Sequence, residues 1–486
     1  MYRKIFAFSI IFVLILGLSA SNALAQDGQP PEQPAGPQSP DALILGDQPW
    51  TFTTIQSLTS QDLGKYAGLA FDPNNNLPSI SYYNATNQDL MLANPITSGG
   101  NCGPYNRWNC QKVDTTGDVG SYSSIDIYRG NFNYKVGISY YDTTNKALKY
   151  AQYSCLLINC SWNISTIQSP GSLAVNTYGR YSSMKFDSNG IAHIAYYGNN
   201  FLTATGWLAY AHQVDSGGNC GVGDANGKWQ CDVVDGKSIN PNSVYVGTYA
   251  SLDLNGSDEA RIAYYDSQNK TLKYAWAGAS SGNCGPSGTW QCDVIDDSAD
   301  VGIGASLHIS KGASDNPLIA YYDKTNGNLR YASIPSSGAN CGPDLIFPGV
   351  KFWRCVTIDA VGTNLVSPPG ISIAASDDGT NVHIAYQDAS DDLAPTTLKV
   401  ASPGFLGNCG PTSGPPLNLH TWQCTTVDNA SYGSGYLNEA DFVSVAVNQA
   451  GLAAAAYFEE DTYYNEGHLK FAYQYAPVYL PLVQKH

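Results

Sequence analysis

Ile262-Ala263-Tyr264-Tyr265-Asp266, a short turn, and then Leu272-Lys273-Tyr274-Ala275 form the stretch that decides the fold of this 486-residue chain. Both halves are rich in β-favouring residues, and the turn between them is polar. The segment recurs as Ser139-Tyr140-Tyr141-Asp142 with Leu148-Lys149-Tyr150-Ala151, and as Ala320-Tyr321-Tyr322-Asp323 with Leu329-Arg330-Tyr331-Ala332. Weaker copies begin at Tyr82, Tyr196, Tyr386 and Tyr457, so seven copies follow one another at spacings of 58, 56, 68, 57, 65 and 71 residues. Around Tyr264 the unit reads as four short β runs, 249–254, 261–266, 271–276 and 290–295. Four-stranded units at this period are the signature of a propeller blade, and no stretch beyond the leader carries a sustained helical period. The expectation is an all-β, seven-bladed β-propeller of four-stranded antiparallel blades.

The tryptophans test the count. One opens the fourth strand of six copies: Trp108, Trp162, Trp229, Trp290, Trp353 and Trp422. The seventh copy ends at Phe471-Ala472-Tyr473 without such a strand, while Trp50-Thr51-Phe52-Thr53-Thr54-Ile55 stands alone before the first copy. An N-terminal strand over residues 50–56 that completes the last blade would close the ring and leave no open sheet edge.

Twelve cysteines fall two to a repeat in the first six repeats. They are Cys102 with Cys110, Cys155 with Cys160, Cys220 with Cys231, Cys284 with Cys292, Cys341 with Cys355, and Cys409 with Cys424. In five pairs the first sits in an Asn-Cys-Gly turn, such as Asn340-Cys341-Gly342, and the second lies two residues after the blade Trp. Blade two departs, with both cysteines before Trp162. An even count, local pairing and an export signal imply disulfides that staple the hairpin between third and fourth strands. A zinc site wants two close pairs converging, and only Cys155 and Cys160 stand that close.

The chain ends carry the localisation. Arg3 and Lys4, the apolar run from Ile5 to Leu18 and Ala23-Leu24-Ala25 read as a signal peptide over 1–25, cleaved near Ala25. Residues 26–49, rich in Pro, Gln and Gly, read as a linker, 50–476 as the propeller and 477–486 as a short tail containing Leu480-Pro481-Leu482-Val483. The protein is therefore expected outside the cell or on its surface, as a monomer with no transmembrane segment once the signal is removed. With 40 acidic against 24 basic residues the formal charge is −16, a field that repels phosphate backbones and excludes nucleic acid as a partner. No Walker or HExxH pattern occurs, and no cofactor is expected. Calcium has acidic clusters such as Asp296-Asp297 and Glu459-Glu460-Asp461 to meet, but no EF-hand spacing supports it.

In layout the chain resembles the sialidase-type propellers that carry Asp-box turns. Ser281-Gly282-Asn283-Cys284-Gly285-Pro286-Ser287-Gly288-Thr289-Trp290 occupies the place of that family's Ser-x-Asp-x-Gly-x-x-Trp turn, with a cysteine turn replacing the Asp box. The family's enzymes hold a substrate carboxylate with three arginines. Here Arg107, Arg129, Arg180, Arg261, Arg330 and Arg354 are scattered over strands that do not converge, which argues against a sialidase.

Residues shared by most blades read as scaffold. Ile80, Ile138, Ile194, Ile262, Ile319 and Ile384 hold one core slot. Gly68, Ser124, Ser183, Ser251, Ser306, Gly370 and Ser444 hold a small-residue slot near the axis, and Asp142, Asp266, Asp323 and Asp388 cap turns. Function is sought where blades differ. One inner-strand slot reads Ala70, Asp126, Lys185, Asp253, His308, Ser372 and Ala446, and its four titratable members come from consecutive blades. Tyr66, Tyr122, Tyr181 and Tyr249 each open an inner strand, on the face expected to carry the Asp turns. Rings stack on sugar C–H faces while carboxylates accept hydroxyls. The candidate ligand-binding set is Tyr122, Tyr181, Tyr249, Asp126, Lys185, Asp253 and His308, with no catalytic and no metal residue assigned. The leading expectation is a non-enzymatic module binding a glycan or a surface partner. A glycoside-cleaving enzyme using Asp126 and Asp253, and a purely structural propeller, stay open beside it.

Overall fold

A computed structural model describes residues 49–475 apart from 132, 157–158, 172–174, 312–314, 345–348, 364–369, 391–394, 414–418, 430–436, 462–463 and 465. The signal sequence, nearly all of the linker and the Leu-Pro-Leu-Val tail lie outside the described residues. The chain folds as an all-β propeller of seven antiparallel sheets. Blade one is Leu63–Phe71, Pro78–Asn84, Asp89–Pro95 and Trp108–Asp114, and blade two is Val119–Arg129, Tyr134–Asp142, Ala147–Leu156 and Asn159–Gln168. Blade three is Asn176–Phe186, Ala192–Asn200, Thr205–Gln213 and Trp229–Asp235, and blade four is Val246–Leu254, Ala260–Asp266, Thr271–Ala277 and Trp290–Asp296. Blade five is Val301–Ser310, Asn316–Asp323, Asn328–Ser333 and Lys351–Ala360, with Cys341–Asp344 as a fifth, edge strand. Blade six is Ile371–Ala375, Val382–Asp388, Thr397–Thr412 and His420–Asn429.

Blade seven takes Leu437–Val447, Ala453–Asp461 and Glu466–Gln474 from the C-terminal part and Trp50–Gln56 from the N-terminal part. Trp50 pairs with Gln474, three residues beyond Phe471, just as Trp290 pairs with Ala277 three beyond Tyr274. The expected ring closure is thus met residue for residue. The closing strand is also held from the next blade, where the Gly103 amide donates to the Ile55 carbonyl at 2.7 Å.

The repeated isoleucines are core: Ile80, Ile138, Ile194, Ile262, Ile319 and Ile384 are all fully buried. All six cysteine pairs are disulfides, as the spacing implied. Cys102 is bonded to Cys110, Cys155 to Cys160 and Cys220 to Cys231, at sequence separations of 8, 5 and 11. Cys284 is bonded to Cys292, Cys341 to Cys355 and Cys409 to Cys424, at separations of 8, 14 and 15. In five of them the Asn before the first cysteine brackets the second. Asn283 Oδ1 accepts from the Cys292 amide at 2.7 Å, and its Nδ2 donates to the Cys292 carbonyl at 2.9 Å. Asn101, Asn219, Asn340 and Asn408 hold Cys110, Cys231, Cys355 and Cys424 in the same way. The glycine after the first cysteine lies against the tryptophan, and a Cβ on Gly285 (φ +71°) would fall 2.3 Å from Trp290 Cδ1. Each such Trp packs edge-on against a third-strand aromatic of the blade before it, in the pairs Trp108–Phe471, Trp229–Tyr150, Trp290–Tyr210, Trp353–Tyr274 and Trp422–Tyr331. Blade one offers Leu92 in that slot, and Trp162 of the divergent blade two packs instead on Tyr153 of its own sheet.

Between blades runs a polar seam that the sequence reading did not identify. The fully buried tyrosine of every second strand reaches the last residue or so of the preceding blade's fourth strand. Tyr140, Tyr264, Tyr321, Tyr386 and Tyr457 donate to Asp114, Asp235, Asp296, Asp359 and Asp428 at 2.5–2.8 Å. Beside each of these carboxylates stands a cation from the next blade's third strand, respectively Lys149, Lys273, Arg330, Lys399 and Lys470. In the two other seams Tyr82 and Tyr196 donate to Gln56 and Gln168, and the cation's slot holds Met91 and Ala209. Aspartate ends the fourth strand where a cation faces it and glutamine where none does, so no seam aspartate is buried without a cation beside it.

Candidate functional site

On six of the seven inner strands the ladder breaks at the same place. The register shifts between Lys65 and Gly68, Ser121 and Ser124, Arg180 and Ser183, Thr248 and Ser251, Ile303 and Ser306, and Asp441 and Ser444, with two residues opposing one. The first residue of each bulge is Tyr66, Tyr122, Tyr181, Tyr249, Gly304 or Phe442, and all six have φ between +52° and +64°. For a bulky side chain this conformation is an outlier costing about 1 kcal/mol or more. The bulge turns each ring toward the axis. The rings meet in sequence, Phe442–Tyr66, Tyr66–Tyr122, Tyr122–Tyr181 and Tyr181–Tyr249, with centroids 4.4, 4.6, 4.8 and 4.7 Å apart. They form a half-buried aromatic collar over five blades. Burial, then the neighbouring tyrosines, push the Tyr66 and Tyr181 hydroxyls well above the usual phenol range, so both stay protonated donors.

The collar shares its end of the molecule with the Asp turns, because Val119 pairs with Asp142 and Val246 with Asp266. Those aspartates cap their turns: Asp142, Asp266 and Asp323 each accept from the backbone and side-chain amides of Asn145, Asn269 and Asn326.

Blade six corrects the slot assignment. Its Ser372 pairs with Ala385 as Ser306 pairs with Ala320 and Ser251 with Ala263. Ser306 Oγ accepts from the Ile373 amide and Ser372 Oγ from the Val445 amide, continuing the links Ser183 to Leu252 and Ser251 to Leu307. The small-residue slot of blade six is therefore Ser372, not Gly370, and the variable slot is Ala374, not Ser372. Gly370 falls in the collar slot. The collar thus lacks a ring in two adjacent blades, at Gly304 and Gly370.

Below the collar, the corrected slot reads Ala70, Asp126, Lys185, Asp253, His308, Ala374 and Ala446, a polar arc over blades two to five facing three alanines. Asp126 accepts from the Phe186 amide of blade three and Asp253 from the Ile309 amide of blade five, both at 2.8 Å. Both carboxylates thereby link blades as the serines above them do. Burial pushes the Asp126 carboxyl up, against the pull of Lys185 and its amide donors. Burial also opposes the Lys185 charge, but Asp253, Asp126 and Asp377 outweigh it and raise its pKa. His308 Nδ1 stands 3.6 Å from Asp253, its Nε2 is buried without a hydrogen bond, and burial lowers its pKa. Collar and channel enclose a cavity of about 280 Å³, lined by the five rings, the serine slot and Lys185.

No protein-family model matches the chain, and no curated protein matches it. Among solved structures it is similar to a fucose-specific lectin from Aleuria aurantia, at 14% identity over 78% of this chain and 99% of that one, with a TM-score of 0.40. It is similar also to the GH93 α-L-arabinofuranosidase of Fusarium graminearum (9%, 87% and 97%, TM-score 0.41) and to an endo-arabinase from Bacteroides thetaiotaomicron (10%, 62% and 99%, TM-score 0.30). These are loose likenesses of layout, and no functional statement rests on them.

Four of the described arginines are engaged apart from one another. Arg129 pairs with Asp72, Arg261 with Glu259 and Arg330 with Asp296, while Arg180 lies over the Tyr141 ring. His193 and His383 are buried in blades three and six, beside the Tyr210 hydroxyl and the Ser402 hydroxyl (2.8 Å) respectively. Burial lowers both to about 4. Each is neutral in the fold and titrates near 6.5 unfolded, so stability is full above pH 6.5 and falls as the pH drops toward 4, by roughly 3 kcal/mol apiece. Asp441, pushed up to about 6 by burial, works in the opposite direction over pH 6 to 4 and offsets about one of them. Urea melts at pH 7 and pH 4.5 should give a clearly lower midpoint at the acid end, and His383→Leu should flatten that difference. A midpoint equal or higher at pH 4.5 would contradict the assignment.

Proposed function

We propose that the protein is an exported glycan-binding module whose ligand sits at the aromatic collar. One observation carries this reading: five blades hold a large aromatic ring in a backbone conformation that strains it, where blade five fills the same position with unstrained Gly304. Packing alone is met by glycine there, so the strained rings mark a surface kept for contact. Half-buried rings with phenol donors suit the C–H faces and hydroxyls of a sugar. Six disulfides fit an oxidising compartment. Cleavage is the less supported alternative, because Asp126 and Asp253 are each occupied by a backbone amide of the next blade.

The test is a glycan panel presented to the oxidised protein from residue 26 onward, reading retained protein and released sugar together. Tyr181→Gly and Tyr249→Gly, which place there the residue blade five already carries, should lower retention at least tenfold with an unchanged melting temperature, and no sugar should be released. Sugar release lost in Asp253→Asn would replace this reading with a hydrolase. No retention on any glycan would remove it.

A further inference from the structure

We infer that the channel beneath the collar is a pocket for one neutral terminal sugar residue, admitted on the Gly304/Gly370 side and recognised by the Lys185 ammonium as hydrogen-bond donor. This rests on the glycan-binding reading and adds the class and end of the glycan. Size comes first. A cavity of about 280 Å³ lies at the lower limit of small-molecule pockets, roughly 300 Å³. One sugar ring fits and a chain segment does not. A channel walled by seven blades admits only the end of a chain.

Charge decides the class. Among the described residues Lys185 is the one charged side chain that lines the cavity. Among the described residues its ammonium has neither a hydrogen-bond partner nor a carboxylate within 4.0 Å, although Asp253 and Asp126 hold it charged. The donors of Lys185 therefore stay available, while both carboxylates are taken by amides of the neighbouring blades. Asp126 and Asp253 do not line the cavity but stand behind the ammonium, so its charge is already offset by two carboxylates. A uronate or sulfated terminus would be drawn only to an ammonium whose charge two carboxylates behind it already offset, whereas hydroxyl and ring oxygens accept from Lys185 without burying a further anion.

The gap decides the route. Four residues at ~3.3 Å each put the Lys185 backbone at most about 13 Å beyond the collar, within reach of a ring entering past the two glycines. Gly304 already has φ +64°, close to the +52° to +55° of the collar aromatics. Gly304→Tyr therefore extends the collar over the opening without asking for new backbone geometry.

The experiment uses the secreted chain, galactose-terminated against galacturonate-terminated oligosaccharides of equal length, and galactose carried internally. The galactose-terminated ligand should bind at least tenfold more tightly than either of the others. Lys185→Met should weaken it tenfold or more with Lys185→Arg restoring part, and Gly304→Tyr should block it while the melting temperature holds. Should Lys185→Met not fold, the Gly304→Tyr result and the matched ligands still decide. Equal or tighter binding of the uronate, or Tyr181-dependent binding indifferent to Lys185→Met and Gly304→Tyr, overturns the pocket and leaves the collar reading standing. The panel is widened to other neutral termini before a negative is scored. If no glycan is retained at all, both readings fall together.

Discussion

Lys273→Met is expected to lower stability by about 3–5 kcal/mol, far more than the lost side chain's own contacts. The substitution leaves the Asp235 carboxylate, 2% exposed, with only the Tyr264 hydroxyl as a side-chain partner. Breaking a buried pair by removing one member costs that much because the remaining charge is stranded, whereas replacing both members by neutral groups is often close to neutral. The molecule contains its own control. Asp235 and Gln168 occupy the same register position, opposite Leu208 and Leu148, and Gln56 lies likewise opposite Leu469. The double variant Lys273→Met/Asp235→Gln reproduces the Gln56–Met91 seam and should recover most of the loss. Urea denaturation of the two variants and the parent measures this. A double variant no more stable than the single one would sink the idea that charge matching governs the seams.

Removing residues 50–56 is expected to abolish cooperative folding. Ile55 is 1% exposed, and its burial alone contributes about 2–3 kcal/mol. The deletion also opens the Glu466–Gln474 strand as an unpaired edge, takes the Gln56 acceptor from Tyr82 and the Ile55 carbonyl from Gly103. At about 1 kcal/mol net for each bond lost, the sum reaches much of a total stability of 5–15 kcal/mol. A chain starting at residue 57 should melt broadly and self-associate through the open edge. A chain starting at residue 26 should not, and a peptide of residues 49–57 added in trans should restore a sharp transition. A sharp, monomeric melt of the truncated chain would mean that the ring closes by other contacts.

What could be read from the sequence followed from repetition. The Tyr-Tyr-Asp segment, the blade Trp and the cysteine pairs recur at fixed offsets, so blade number, ring closure and disulfide pairing were legible before any coordinates. Blade six was misaligned by two residues because Pro368-Pro369-Gly370 precedes its short inner strand, Ile371–Ala375, and Gly370 looked like the small residue of that strand. The alternation Ile371-Ser372-Ile373, matching Ala305-Ser306-Leu307, carried the correct register. The collar conformation was hidden, since φ is not written in a tyrosine. Its trace is the recurring Gly-x-Tyr of Gly64, Gly120, Gly179 and Gly247, where the backbone passes so close to the preceding blade that a Cβ on Gly64 would fall 2.8 Å from the Leu469 Cα. The seams were missed because tyrosine and carboxylate lie about a third to a half of a repeat apart and meet only across two sheets. Once slots are aligned, the concerted change from Asp with Lys or Arg to Gln with Met or Ala is visible in the chain itself.

The alternation of charged and neutral seams constrains how such a ring can be lengthened, shortened or recombined. Blades four, five and six each present a cation to the blade before and an aspartate to the blade after, so any one of them can be duplicated or excised and the new junction still matches. Blade two presents a cation before it and Gln168 after it, and blade three the reverse, Ala209 before and Asp235 after. Neither can be moved alone without setting a carboxylate against an apolar residue or a lysine against an amide. Moved together they behave as one unit, because Asp114 would then face Lys273. Blades seven and one, joined through Gln56 and Met91, form a second such unit across the ring closure. The seven blades are therefore exchangeable as five modules, three single and two double, and chimaeras cut at module boundaries should assemble where those cut inside a double should not.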